Sequence, residues 1–304
     1  MPGRVIEILT TGTVLNRDRG FMVVKRPEAE PAQVPLSDIA CVVVGNGVQL
    51  STNLLLGLQE HGANLIVVGP TYHPASFFWP HSEHGEHTRR LDQQIAASLP
   101  LQKRLWQQVV MVKIRNQATV LQEHTQQDEG LSALAKRVGS GDPENLEAQA
   151  ARRYWQKLMG ADFRRNTTPQ TETDPNALLN YGYAIMRAAT ARAISATGLH
   201  PALGIYHKNQ ANTFRLVDDL MEPYRPLVDH QVKQLIKAGQ NALTPDTKKK
   251  LAGLLDVDLR NHEMDLSPVS VTMLYVAQSF ARSLETGEAG LDYPREILPA
   301  QSFL

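Results

Sequence analysis

The first eighty residues alternate, or run apolar, over stretches of about strand length. Residues 5–9 and 12–15 are short β-rich runs. Phe21–Lys25 reads Phe-Met-Val-Val-Lys, and the Arg19-Gly20 pair before it predicts a hairpin turn. Residues 40–44 and Asn64–Val68 are continuously apolar, the pattern of strands buried on both faces. Ser51 predicts the cap of a short helix through Leu54, Leu55 and Leu58 that closes at His61-Gly62. Pro70, Pro74 and Pro80 then break regularity.

Beyond residue 87 the period changes from two to about 3.6. Residues 88–99 predict a helix. Residues 101–125 predict a long one, with Leu105, Val109, Val112 and Leu121 near one stripe. Gly139-Ser140-Gly141-Asp142-Pro143 breaks the pattern, with Asp142 as candidate N-cap and Pro143 as candidate first residue of a helix running to Met159. Residues 166–174 form a polar loop. Asp174-Pro175 repeats the cap-plus-proline start of a helix that stops at Gly198. Helices follow over roughly 214–238, 245–256 and 268–285. The fold class predicted is α+β: a small β-rich domain over 1–80, a linker over 81–88, and a larger all-α domain over 89–304.

A chain of 304 residues, 42% hydrophobic and 20% charged, buries a substantial core. A single cysteine, Cys41, excludes an intramolecular disulfide and a cysteine-cluster zinc site. No apolar run reaches the ~18 residues of a membrane span, and the N-terminus leads into an alternating segment and not a secretory core. A cytoplasmic protein without a membrane partner is expected. Thirty-one basic residues balance 31 acidic ones, but unevenly along the chain. Residues 143–217 carry nine basic and five acidic side chains, a surplus of four, and 218–304 carry nine and thirteen. A solvated helix face explains the surplus as readily as a phosphate-binding surface does.

Three places hold polar residues that packing explains poorly. Glu147 shares a helix face with Ala151, Tyr154 and Leu158, a face expected to point inward. A carboxylate there needs an arginine such as Arg187, a hydrogen bond or a metal. His207 ends a loop shaped by Gly198, Pro201 and Gly204. Asp218, Asp219 and Glu222 put three acids in five residues. Asp219 and Glu222 share a face, and Pro223 bends the chain beside them. Two acid sites and a histidine form a ligand set suited to Mg²⁺ or Mn²⁺. Gly45-Asn46-Gly47 starts like a dinucleotide loop, but Leu50 stands at the third glycine position and no βαβ unit follows.

In their order and spacing, several of these segments resemble the CRISPR-associated integrase of spacer acquisition, the Cas-one family, most closely its type II form. The segments are residues 105–117 with Lys113 and Asn116, 145–154 around Glu147, and Leu179-Asn180-Tyr181-Gly182-Tyr183. Residues 198–207 and Asp219-Leu220-Met221-Glu222-Pro223-Tyr224-Arg225-Pro226 complete the set. The resemblance implies a homodimer formed through the β-rich domain and a helical catalytic domain. It implies an enzyme that inserts short double-stranded DNA fragments as spacers into CRISPR repeat DNA, by 3′-hydroxyl attack on a repeat phosphate. Glu147, His207 and Glu222 become the catalytic metal ligands for Mg²⁺ or Mn²⁺, with Asp219 as accessory acid. Which of the two acids ligates directly stays open. A small ferredoxin-like partner, Cas-two, is expected, and under this reading basic side chains of the 143–217 surplus, Arg152, Arg153, Arg164 and Arg165, are the candidate contacts to DNA backbone phosphates. Ala148, Arg215 and Pro223 depart from the family's usual glycine, serine and neighbouring residue. A metal nuclease acting on branched DNA without integration, and a DNA-binding scaffold without catalysis, are the alternatives.

Overall fold

The computed structural model describes residues 4–69, 74–78, 86–168, 171 and 173–299. The chain divides into two units, Met1–Glu83 and His84–Leu304. Of the expected linker, residues 81–85 lie outside the described residues, and 86–88 belong to a helix.

In the first unit the elements run β1 (Arg4–Ile8), β2 (Val14–Asp18), β3 (Phe21–Lys25), β4 (Ala32–Pro35), β5 (Ile39–Val44), β6 (Gln49–Leu50), α1 (Thr52–Glu60), β7 (Asn64–Val68) and β8 (Pro74–Phe78). One sheet has the order β1-β5-β7-β8, parallel except for its last pair, so β5, α1 and β7 form a βαβ unit across Gly45-Asn46-Gly47 that the sequence reading does not expect. The other has the order β4-β3-β2-β6. β5 is flanked by strands on both edges, and Cys41, Val42, Val43 and Val44 are all buried, as a continuous apolar run requires. The β2–β3 hairpin turns at Arg19-Gly20, with Arg19 at φ 51°. Ser51 caps α1 by accepting from the Leu54 amide. Both sheets and α1 share a core that includes Leu15, Met22, Leu36, Val42, Leu54 and Leu58. Pro74 does not break the chain as its residue type predicts. It opens β8, at the edge of the sheet, where a missing N–H is tolerated.

The second unit is helical: α2 (Glu86–Ala96), α3 (Leu99–Thr125), α4 (Leu131–Arg137), α5 (Leu146–Met159), α6 (Pro175–Ala196), α7 (Arg215–Met221), α8 (Arg225–Lys237) and α9 (Pro245–Ala252). A short antiparallel ribbon, β9 (Asp258–Arg260) with β10 (Leu266–Pro268), precedes α10 (Val269–Thr286). The ribbon is an addition that the helical period gives no sign of. Ser98 caps α3 through the Leu101 amide, so the break falls at residues 97–98 and not after Leu99. Leu105, Val109, Val112 and Leu121 are all buried, and α3 packs on α4, α5 and α8. α6 starts at the Asp174 cap and is buried on most of its circumference, against α7, α8, α9 and α10. A Cβ at Gly182 would sit 2.4 Å from Val228 Cγ1, so α6 and α8 meet at a distance only glycine allows. Asp229 of α8, 1% exposed, accepts from Tyr154 Oη of α5 at 3.0 Å and from Tyr183 Oη of α6. Burial pushes its carboxyl up to about 7, against the hydrogen bonds from the two tyrosines.

Two helix starts differ from expectation. α5 begins at Leu146, with Asn145 as N-cap at φ 51°. Asp142 still serves this terminus, because its carboxylate accepts from the Leu146 amide at 2.9 Å and the Glu147 amide at 3.0 Å. The segment expected as one helix over 214–238 is broken at Pro223. A single 3-10 turn, Glu222–Tyr224, separates α7 from α8.

Candidate active site

The buried stripe of α5 is Leu146, Ala150, Tyr154 and Leu158, which leaves Glu147 at its margin with a side chain 24% exposed. Its partner is not Arg187. Lys113 reaches across from α3 and donates to Glu147 Oε1 at 2.5 Å. The same Nζ lies 2.6 Å from Glu222 Oε2, and Arg225 lies 2.8 Å from Glu222 Oε1. Burial opposes charge on Glu222, but Arg225 and then Lys113 outweigh it and hold the carboxyl below its ordinary value. Burial likewise pulls the Lys113 ammonium down, and Glu222 with Glu147 more than restores it. One turn along α3 from Lys113, Asn116 donates to the Pro223 carbonyl at 2.7 Å and fixes the bend that carries Glu222.

The three clustered acids avoid mutual repulsion by taking different partners. Asp218 receives Arg187 at 2.7 and 2.9 Å, and Asn212 at 2.7 Å. Asp219, fully buried, accepts from the Ile205 and Tyr206 amides at 2.6 and 3.0 Å on Oδ2, while Oδ1 meets His207 Nδ1. Glu222 faces Lys113. A Cβ at Gly204 would lie 2.8 Å from Asp219 Oδ2, so the glycine is what allows the loop to close onto the carboxylate. Asp219 thus pins the loop that ends in His207. Its hydrogen bond raises the imidazole above its ordinary value, and Glu222 and Glu147 lie near enough to add to this. Tyr206 stacks on Trp106 of α3, ring centroids 4.4 Å apart, and His207 meets Trp106 edge-on at 5.7 Å.

The four expected DNA contacts separate. Arg152, Arg153 and Arg164 are exposed. Arg165 is half-buried, donates to Asn176 at 3.0 Å and Asn180 at 2.6 Å, and covers the Tyr183 ring. It locks the 164–168 segment to α6. Lys113, Asn116, Trp106 and Arg225 fall within the segments that carry the resemblance, but the sequence reading gives them no role in the site. The sign that was available is the position of Lys113, one turn past Val109 on the buried stripe.

Among the described residues, no three His, Cys, Asp or Glu side chains stand as a ready metal-ligand group. The donor chemistry nonetheless fits Mg²⁺ or Mn²⁺. Glu147 and Glu222 converge on one shared cation, the Lys113 ammonium, and His207 carries an imidazole nitrogen near both.

A family model for "CRISPR associated protein Cas1" matches residues 6–263. The CRISPR-associated endonuclease Cas1 of Neisseria meningitidis serogroup C (strain 8013) is 36% identical over 302 residues, spanning 97% of this chain and 97% of that protein. Among solved structures, a casposase bound to integration product superposes with a TM-score of 0.78 at 20% identity, over 99% of this chain and 96% of that one. A chain of a Cas6-RT-Cas1–Cas2 complex gives 0.76 at 18% identity, over 98% of this chain and 36% of that one. The two structural likenesses carry the fold. No helix among the described residues is long and apolar enough to cross a membrane.

Proposed function

Because the chain belongs to the CRISPR-associated Cas1 family, we propose that it is a metal-dependent DNA endonuclease and integrase. It inserts short foreign DNA fragments as spacers into a CRISPR repeat array. The observation that carries this reading is the convergence of Glu147 and Glu222 on one cation beside the Asp219-anchored His207. The relative named an endonuclease and the casposase neighbour support the reaction class.

Glu147, Glu222 and His207 would hold Mg²⁺ or Mn²⁺, which when bound supplies charge at the phosphoryl oxygens and lowers the pKa of the attacking hydroxyl. The rest falls to the chain's own groups. Asp219 fixes the ring of His207 by taking its Nδ1 side, and so leaves Nε2 as the ring nitrogen that would serve as ligand. Arg225 keeps Glu222 ionised in a buried position. Arg152, Arg153 and Arg164 are exposed and would hold backbone phosphates. Attack by a fragment's 3′-hydroxyl forms one phosphodiester as the repeat's own P–O bond breaks, and the departing 3′-oxygen takes up a proton. A homodimer and a small Cas-two partner belong to the same proposal, and the Cas1–Cas2 complex among the structural neighbours supports the latter.

The test is strand transfer. With Mn²⁺, a labelled short duplex is expected to become covalently joined to repeat-containing DNA. Glu147→Ala should fold and lose joining by at least about a hundredfold. Hydrolysis without joining in the wild type would mean a nuclease on branched DNA. Binding without either product would mean a scaffold, and full joining by folded Glu147→Ala would end the site assignment.

A further inference from the structure

Beyond the candidate active site, α3 and α8 meet again where His124, His230, Lys233 and Lys237 crowd together. His124 Nε2 and His230 Nδ1 face one another at 3.0 Å, with ring centroids 4.8 Å apart. Lys237 Nζ lies 3.1 Å from His124 Nδ1, and the side-chain amide of Gln234 lies 2.9 Å from His230 Nε2. An ammonium only donates, so His124 Nδ1 accepts, and its Nε2 carries the proton that goes to His230. The chain of bonds holds both imidazoles neutral. Burial, His230, Lys237 and Lys233 push His124 down to about 4. Burial also lowers His230, with Glu123 opposing and Lys237 adding to the shift.

A helix end explains only part of this cluster. The last turn of a helix attracts basic side chains, which suits His124 of α3 and Lys237 of α8. It does not account for Lys233, half-buried one turn before Lys237, at a spacing where like charges repel. Burial and Lys237 both lower the Lys233 ammonium. Among the described residues neither lysine pairs with an acid, and Glu123 beside His230 is the acid that acts on the two imidazoles. Cations gathered in this way call for an anion. The place suits one. His124 stands about three helical turns past Lys113 on the same face of α3, roughly 16 Å along it. At about 3.4 Å per base pair, a duplex following α3 covers that distance in about five pairs.

We propose that Lys233, Lys237 and His124 bind one backbone phosphate of duplex DNA, about five base pairs from the phosphate that reacts, with His230 and Gln234 orienting the His124 ring. This rests on the DNA-processing reading above. The phosphate draws the Lys237 ammonium off His124 Nδ1, and that nitrogen gains a proton from solvent and donates in its turn. Proton uptake on binding makes the contact stronger as pH falls. It reads no sequence. It fixes the direction in which the duplex leaves the reacting centre.

Binding of a duplex by the full-length protein in EDTA tests the contact. The wild type is expected to bind roughly threefold tighter at pH 6 than at pH 8 through this group, and His124→Gln to lose that share. Lys233→Gln with Lys237→Gln should weaken binding roughly tenfold and flatten the salt slope by about 0.9. Ethylation interference during joining with Mn²⁺ locates the phosphate. An ethylated phosphate about five pairs from the joined position should reduce joining by the wild type and make no difference to the double lysine variant. A folded His124→Gln with the full pH response, or a wild type indifferent to ethylation at that distance, overturns the proposal. Should His124→Gln unfold, unchanged affinity and salt slope in the lysine variant do the same. Inorganic phosphate that protonates His124, in a protein whose lysine variant binds DNA like the wild type, would mean a site for free phosphate and overturn it too. A wild type that binds duplex but joins none loses the integrase reading, and the pH and salt responses then decide the contact. A wild type that binds no duplex at low salt overturns the DNA-processing reading itself, and the contact with it.

Discussion

Replacing Lys113 by methionine removes the cation that Glu147 and Glu222 share. The buried Glu222 keeps Arg225, but the two carboxylates then face one another without Nζ between them. Breaking such a pair costs about 3 kcal/mol. A lower melting temperature is expected in EDTA, with a larger rise on adding Mn²⁺ than in the wild type, because the metal no longer competes with an ammonium. Equal Mn²⁺ responses in the two proteins would show that lysine and metal do not share a place. At this scale the sequence was informative about acids and poor about their partners. Glu147, His207 and Glu222 stand out because a carboxylate near an apolar stripe, a histidine in a glycine-shaped loop and an acid beside proline each need explaining. The place of Lys113, one turn past Val109 on the stripe of α3, marks it as inward but does not say what it meets. Its meaning comes from the meeting of α3, α5 and the turn at Glu222, which no local pattern encodes.

Among the elements, α6 and α8 meet at Gly182. Gly182→Ala would drive a methyl into Val228 and is expected to cost about 1–3 kcal/mol, read as a drop in melting temperature. Val228→Ala in the same chain should recover part of it, and no recovery would place the strain elsewhere. Asp229, between these helices, gives the fold a pH dependence. Its carboxyl titrates near 3.8 when unfolded and at about 7 when native. Between those values the native state binds its proton more tightly, so stability from this group falls as pH rises and is fully lost above about 7. Melting temperatures at about pH 5 and pH 8 should therefore differ less in Asp229→Asn than in the wild type, by an amount worth up to about 3 kcal/mol. An unchanged difference would mean that the native carboxyl is not displaced. Helices with strong periods, such as α3, α6 and α10, were legible to within a turn or so. The start of α5 was not, because Asp142 caps it from outside, and β4, β6 and β8 were missed because pairing partners, not apolar runs, make them strands.

For the whole molecule, zero formal charge conceals a surplus of basic side chains over residues 143–217. Reversing Arg152, Arg153 and Arg164 to glutamate should weaken binding to unrelated sequences about equally and flatten the salt dependence, by up to roughly 0.9 in slope for each phosphate no longer neutralised. Arg165 is left out of that set, since its ties to Asn176, Asn180 and Tyr183 would turn a binding test into a stability test. A weakening limited to one sequence would mean that these arginines read bases.

The chain's one thiol lies in the middle strand of the first sheet, 1% exposed, and the helical unit has none. A maleimide or disulfide reagent can therefore reach Cys41 only when β5 opens, since a buried thiol is inert until it meets solvent. The rate of native-state labelling is thus a clock for the β-rich unit alone, read without engineering the chain. Timed against amide exchange in α3 and α6, it tells whether the two units open together or whether one stays closed while the other breathes.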